Sequence, residues 1–351
     1  MKEIANNIFY CGEKHPERSI FDQLIPLPQG TTYNSFLVKG SEKTALIDTM
    51  YPPLMDRLMA TLEGKEVDYI IANHGEQDHS GALPSLLKKF PNAIIVTNAK
   101  CKELLMYEHH SDENKFQVIQ DKETLSLGDK TLEFHLTPWV HWPDTMFTFV
   151  KEDKVLFPCD FLGAHHTDGE IFADNSKELE ISAKRYYAEI MMPYRTFCKK
   201  YVALIDELAP KIICPSHGPI YKEPSFILNL YKKWVSDDVE KKVVITSFIM
   251  EAVCAMREYA PGLKCGFLTK NVDDTLLFKL KKAGIGELCP EAKILDADKV
   301  NKWHEMGFNV RAWGVTDTNL MEKAYLSGVD GMTVNFPDKL TELLNKKSGR
   351  I

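Results

Sequence analysis

The chain has 351 residues, 44% hydrophobic and 26% charged, with a formal net charge of −7. That length suggests two domains, at ~100–200 residues each, and buries about three quarters of the unfolded surface without any staple. No apolar run reaches the ~20 residues of a membrane span. Met1-Lys2-Glu3-Ile4-Ala5 opens no signal core, and an acidic chain without a long basic block argues against nucleic-acid binding. The eight cysteines (11, 101, 159, 198, 214, 254, 265 and 289) form no Cys-x-x-Cys pair. We expect free thiols in a cytoplasmic protein, without disulfides or an iron–sulfur site.

In chain order, Thr32–Val38, Ala45–Asp48 and Asp68–Asn73 read as strands. A helix over 81–89 follows, with Ser80 as its N-cap. Ala93–Thr97 is a strand and Lys100–Tyr107 a helix, and His109-His110 reads as a solvated loop pair. Thr131–Leu136, Met146–Lys151 and Lys154–Pro158 look like paired strands. One long helical stretch runs from Lys177 to Leu208, then a strand over Ile212–Cys214 and a helix over 224–236. Many strands, then helices between later strands, suggest an αββα sandwich over residues 1–240.

Ser236–Lys242 reads as a charged hinge. Beyond it, over 241–351, come five strand–helix units. Strands are expected near Val243–Ser247, Cys265–Leu268, Gly286–Cys289, Asn309–Val315 and Gly331–Asn335, and helices near 250–258, 273–283, 297–306, 318–326 and 338–346. Regular β-α spacing predicts parallel strands with right-handed crossovers, a partial (β/α) barrel.

The chemistry concentrates in Asn73-His74-Gly75-Glu76-Gln77-Asp78-His79-Ser80, a loop after a predicted strand. Four potential ligands fall within six residues. His141 in Trp139-Val140-His141-Trp142-Pro143-Asp144, Asp160 after Val155-Leu156-Phe157-Pro158-Cys159, and His217 in Pro215-Ser216-His217-Gly218 add three more. Any one such histidine reads as an ordinary core or surface side chain; seven candidates in loops after strands read as a metal centre.

The pattern His-x-Glu-x-Asp-His, then His, Asp and His, resembles the flavodiiron proteins, a branch of the metallo-β-lactamase-like fold. Gly30–Ser35, Ala45–Thr49, Phe161–His165 and Arg185–Met192 share the likeness, which covers residues 1–240. The resemblance implies His74, Glu76 and His141 on one iron and Asp78, His79 and His217 on the other. Asp160 would bridge two Fe2+/Fe3+ ions. Glu76 stands where the zinc hydrolases of this fold carry a second histidine. Three carboxylates nearly neutralise two ferrous ions, and hard anionic oxygens favour iron over zinc. Tyr33, His165, His166, Tyr187 and Tyr194 are candidates for supporting contacts around the metals.

Flavodiiron proteins carry a flavodoxin-like domain after this module. Here Val243–Met250 lacks a Ser/Thr/Gly-rich phosphate loop, and no Gly-x-Gly-x-x-Gly appears, so no FMN is expected. Residues 243–347 instead resemble the C-terminal part of glycerophosphodiester phosphodiesterase barrels, in Val310–Asp317 and Gly328–Pro337, without that family's catalytic segment. Five parallel strands with helices on one face leave the other bare, which predicts a homodimer. The functional expectation is a di-iron sensor or carrier of O2, with NO a further ligand, read by a signalling partner. The alternatives are an O2 or NO reductase supplied by a separate flavoprotein or rubredoxin as electron donor, and a zinc hydrolase of the same fold.

Overall fold

The computed structural model describes residues 1–21, 25–109, 112–236, 244–334 and 336–348. The chain folds as two units, Met1–Asp237 and Asp238–Ile351. The stretch read as a hinge lies, apart from Ser236, outside the described residues, as do His110, Val243 and Asn335. Among the described residues no helix is long and apolar enough to cross a membrane, and all eight cysteines are free.

The first unit is built on two sheets. A seven-stranded sheet runs Lys2–Ala5, Ile8–Tyr10, Phe36–Lys39, Thr44–Ile47, Tyr69–Ile71, Ile94–Thr97, Phe116–Val118, antiparallel at first and parallel from Thr44–Ile47 onward. A five-stranded sheet runs Thr124–Ser126, Thr131–Leu136, Met146–Val150, Val155–Phe157, Ile212–Ile213, the last pair parallel. Strand periodicity of two sends alternate side chains to opposite faces. Val38, Ile47, Ile71 and Val96 meet Phe134, Met146, Val150 and Phe157 between the sheets. Leu37, Leu46, Ile70 and Ile95 face the other way, onto Leu58, Leu83, Leu86, Cys101 and Leu105 of the helices Met55–Thr61, Leu83–Lys89 and Ala99–His109. Phe147, Phe149, Leu156 and Ile213 do the same against Lys177–Tyr186, Arg195–Leu208 and Pro224–Ser236. Three apolar layers between four layers of structure make the expected αββα sandwich.

Three elements depart from expectation. The strand read over 32–38 is two strands, Thr31–Tyr33 and Phe36–Lys39. It breaks at Asn34, whose amide donates to Pro215 O and Gly218 O at 2.8 Å each, and at Ser35, whose hydroxyl donates to Asp48 O. Ser80 is not the N-cap of the following helix. It ends the short helix Gln77–Ser80, and its hydroxyl donates to Gly75 O, 2.8 Å away. The long helix over 177–208 is interrupted by a π turn, Tyr187–Met191, and a 3-10 turn, Met192–Tyr194. Pro193 has no N–H to continue the ladder, and its ring clashes with the preceding turn.

In the second unit the five predicted strand–helix pairs are present. Strands Val244–Ser247, Lys264–Thr269, Glu287–Pro290, Asn309–Val315 and Gly331–Val334 form one parallel sheet in sequence order, a half-barrel. Helices Met250–Tyr259, Asp274–Lys282, Ala297–Glu305, Thr318–Leu326 and Pro337–Ser348 follow them in turn. Three of these helices start on an aspartate, Asp273, Asp296 or Asp317, whose carboxylate accepts a backbone N–H of the first turn. Cys265, Leu288, Val310 and Ala312 face the helices, packing with Val253, Leu277, Val300, Trp303 and Met321. Thr246, Glu287, Arg311, Trp313 and Thr333 stand in the alternate register, and there Arg311 pairs with Glu287.

Candidate metal centre

Each candidate ligand sits just past a strand end. Tyr69–Ile71 runs into the 73–80 loop, Leu136 into the turn holding His141, Val155–Phe157 into Asp160, and Ile212–Ile213 into His217. Asp48, buried and at φ +51°, accepts from Asn73 N at 2.8 Å and Asn73 Nδ2 at 3.0 Å, which fixes the start of the first loop. Asp48, Trp139, Cys159 and Leu162 all have positive φ. Such strained backbone tends to concentrate at functional sites. Gly218, at φ +84°, follows His217; a Cβ there would lie 2.6 Å from Ala164 O.

The seven residues come together as two groups. Donor atoms of His74, Glu76, His141 and Asp160 lie within 4.8 Å of one another, as do those of Asp78, His79 and His217. Asp160 spans them. Its Oδ2 is 3.9 Å from His74 Nε2 and 3.7 Å from His141 Nε2, while its Oδ1 is 3.2 Å from His79 Nε2 and 3.3 Å from His217 Nε2. His141 and Glu76 are each 16% exposed at the side chain, against at most 5% for the other five, so the centre opens on their side.

The outward ring nitrogens of two histidines are tied down. His74 Nδ1 lies 3.0 Å from Asp144 Oδ2, which also accepts from Gly75 N at 2.8 Å. His217 Nδ1 donates to Thr32 O at 2.6 Å. This leaves Nε2 of both rings for the interior. Among the described residues, both carboxylate oxygens of Asp78 and Nε2 of His79 are buried without a hydrogen-bond partner, although charged neighbours stand within 3.4 Å. A donor atom of each of these two residues and a ring nitrogen of His217 lie within 4.8 Å of one another. Buried polar atoms left unpaired in this way are costly unless something else satisfies them, and four imidazoles with three carboxylates suit two divalent cations of the harder kind. The residues therefore fit the metals the sequence implies.

The bare side chains also hold one another charged. Burial opposes a proton on His217, but Asp160 and Asp78 outweigh it and push its pKa up to about 10. His74 is raised against burial by Asp144, Glu76 and Asp160. Against the same burial, Glu76 is held below the usual carboxylate range by His141 and His74, and Asp160 by His79 and His217. Protons occupy positions that metal cations would take.

The supporting candidates divide. Tyr33 is buried, its ring 5.7 Å edge-on from His217, and its hydroxyl accepts from Arg18 at 2.6 Å. His165 and Tyr194 line a cavity of about 260 Å³ over the centre, together with Phe21, Trp142, Tyr186 and Ile190. Burial and the neighbouring His217 hold the His165 imidazole neutral, far below its usual pKa. His166 does not line this cavity; burial lowers its imidazole pKa, with smaller influences from Asp168, Asp174 and Lys14. Tyr187 packs on Tyr231 and Trp234, with its hydroxyl 3.4 Å from Trp234 O, inside the helical core. The tyrosine on the centre is its neighbour Tyr186, which donates to Asp160 Oδ1 at 3.0 Å.

The sequence carried a signal for Tyr186. Leu179, Ser182, Ala183 and Tyr186 follow the i, i+3, i+4, i+7 spacing of a buried helical stripe. Asp144 had a weaker one, an acid three residues after a candidate histidine in a Trp-Pro turn. His109 is also misread as a solvated loop residue: it ends a helix, and its Nε2 lies 3.0 Å from Ser80 Oγ.

Residues 31–218 match the family described as ODP family beta lactamase, and residues 189–339 match the glycerophosphoryl diester phosphodiesterase family. An uncharacterised protein of Methanocaldococcus jannaschii is 34% identical over 304 residues, which cover 85% of this chain and 75% of that protein. A type A flavoprotein of Rhodobacter capsulatus is 36% identical over 306 residues, 84% of this chain and 69% of its own. Among solved structures, the rubredoxin oxygen:oxidoreductase of Desulfovibrio gigas superposes with a TM-score of 0.67 at 24% identity, covering 95% of this chain and 93% of the other. The chain belongs to the flavodiiron protein family, within the ODP branch of the β-lactamase fold.

Proposed function

We propose that this chain is a non-haem di-iron protein that binds O2, and NO at the same positions, as a sensor or carrier. His74, Glu76 and His141 would hold one iron, Asp78, His79 and His217 the other, and Asp160 would join them. The observation that carries this is Asp160, whose two oxygens face separate donor groups. Two ferrous ions held there would supply one electron each to a diatomic ligand. The protein's part is to aim His74 through Asp144 and His217 through Thr32 O, and to keep Asp160 in place through Tyr186.

Binding rather than turnover is favoured by the turn after the first strand of the second unit. A flavin phosphate needs small residues and free backbone N–H groups there. Ser247 is followed instead by Phe248 and Ile249, 52% and 60% exposed. We assign the role to a cytoplasmic homodimer of a di-iron domain ending near residue 240 and a half-barrel that lacks a catalytic motif of its own and reports the metal state to a partner protein. The second reading is an O2 or NO reductase with a separate electron donor. Relatives named coenzyme F420H(2) oxidase, from Methanothermobacter marburgensis, and anaerobic nitric oxide reductase flavorubredoxin, from Salmonella typhi, favour it.

The test is to load the chain anaerobically with Fe(II), confirm two irons per chain, and add limited O2 without reductant. A long-lived visible band that degassing removes is the expected result. Rapid loss of colour, with recovery only on adding an electron donor, would replace the sensor with the reductase.

A further inference from the structure

Among the polar side chains that line the cavity over the two donor groups and lie outside the ligand set, His165 has a buried nitrogen without a partner among the described residues. His165 is 6% exposed, lines that cavity, and has its ring centroid 5.2 Å from that of His217. Its Nδ1 is 2.9 Å from the Thr31 hydroxyl, and its Nε2 is buried without a hydrogen-bond partner among the described residues. The rings of Phe21 and Tyr186 flank it at 5.3 and 4.8 Å, and neither gives that nitrogen a partner.

The contacts of Thr31 bear on which nitrogen carries the proton. His217 Nδ1 is 2.6 Å from Thr32 O and so is itself a donor, unable to accept from Thr31. The Thr31 hydroxyl then has two acceptors, His165 Nδ1 at 2.9 Å and Thr32 O at 3.3 Å, and the shorter contact is to the imidazole. A neutral ring that accepts at Nδ1 carries its hydrogen on Nε2. With the Thr31 proton on the shorter contact, the His165 hydrogen sits on Nε2, the atom without a partner among the described residues.

We propose that His165 donates a hydrogen bond from Nε2 to a small anion, or to a diatomic ligand that has gained negative charge, held over the Asp78, His79 and His217 group. This rests on the reading of that group as a metal site. A fixed donor in a water-poor cavity is worth most where charge develops, so His165 favours the reduced, bound ligand over the neutral gas. Thr31 acts through it, by setting the tautomer.

The experiment titrates the full chain, iron-loaded and oxidised, with sodium azide and follows the visible azide-to-iron band. His165→Leu should retain two irons and raise the azide Kd about tenfold or more, the effect of losing one hydrogen bond to a charged group. His165→Gln, whose amide nitrogen reaches about as far as Nε2, should restore affinity to within about threefold. Thr31→Val should fall between them. Azide affinity in His165→Leu equal to that of the parent would overturn the inference while leaving the metal centre intact. Equal weakening in the Leu and Gln variants would reduce His165 to a packing residue and overturn it too. Loss of an iron in both variants would make His165 a ligand rather than a donor. No azide band in the parent protein would instead remove the metal-site reading beneath it.

Discussion

Asp144 shows how much of the centre depends on residues that hold no metal. Its buried carboxylate fixes His74 Nδ1 and Gly75 N together, so it sets both the ring orientation and the loop that carries Glu76. Partners of this kind typically account for ~10–100-fold in metal affinity. Asp144→Asn should therefore weaken one of the two metals by about that factor in a chelator competition, with the other retained. Asp160→Ala acts differently, because its two oxygens serve both groups. It should lose at least one metal per chain by elemental analysis; retention of both would contradict the ligand assignment. The charge state of His217 adds a pH dependence. Its raised pKa, about 10, keeps it protonated at neutral pH in the metal-free centre, so a metal must displace that proton. Metal affinity should rise with pH from 6 to 8, with proton release on loading, as pH-stat titration would record.

The elements divide by how local their causes are. The half-barrel helices begin on Asp273, Asp296 and Asp317, each accepting a backbone N–H within three residues. Removing one such cap should lower the melting temperature of the second unit by several degrees, so Asp317→Ala is a direct test by calorimetry. Loops of the centre depend on distant chain. Gly218 lies at φ +84° against Ala164 O, so Gly218→Ala must either twist the His217 turn or push the 160–165 loop away. We expect a cost of about 1–3 kcal/mol and preferential loss of the metal on the His217 side, read as one metal per chain in place of two.

For the whole molecule, the metals act as ligands that bind the folded chain and not the unfolded one. At ~1,000 times their Kd they add about 4 kcal/mol, worth ~2–4 °C per kcal/mol at domain sizes of 150–250 residues. A chelated sample should show the transition of the first unit lowered by about 8 °C or more, with that of the second unit unmoved, because every donor residue lies before residue 238. The proposed homodimer is tested separately, by light scattering at micromolar concentration; a monodisperse monomer would exclude it.

The seven ligand candidates were legible because metal chemistry restricts the residue types, and because most of them follow short apolar, β-branched runs that read as strands. The half-barrel was legible for a related reason: turns, aspartate caps and short apolar runs recur at regular spacing, and each acts over a few residues. Tyr186 and Tyr187 are adjacent in the sequence, and only the phase of one helix against its neighbours sends the first to Asp160 and the second to Trp234. The break at Asn34–Ser35 depends on carbonyls some 180 residues away, at Pro215 and Gly218. Local chemistry thus determined which residues could form a metal centre and where strands and helices begin. The folded chain decided which hydroxyl reaches Asp160, which carbonyl orients His217, and which histidine is left with an unused nitrogen in the cavity, because those contacts are made between segments that meet only when the two sheets pack.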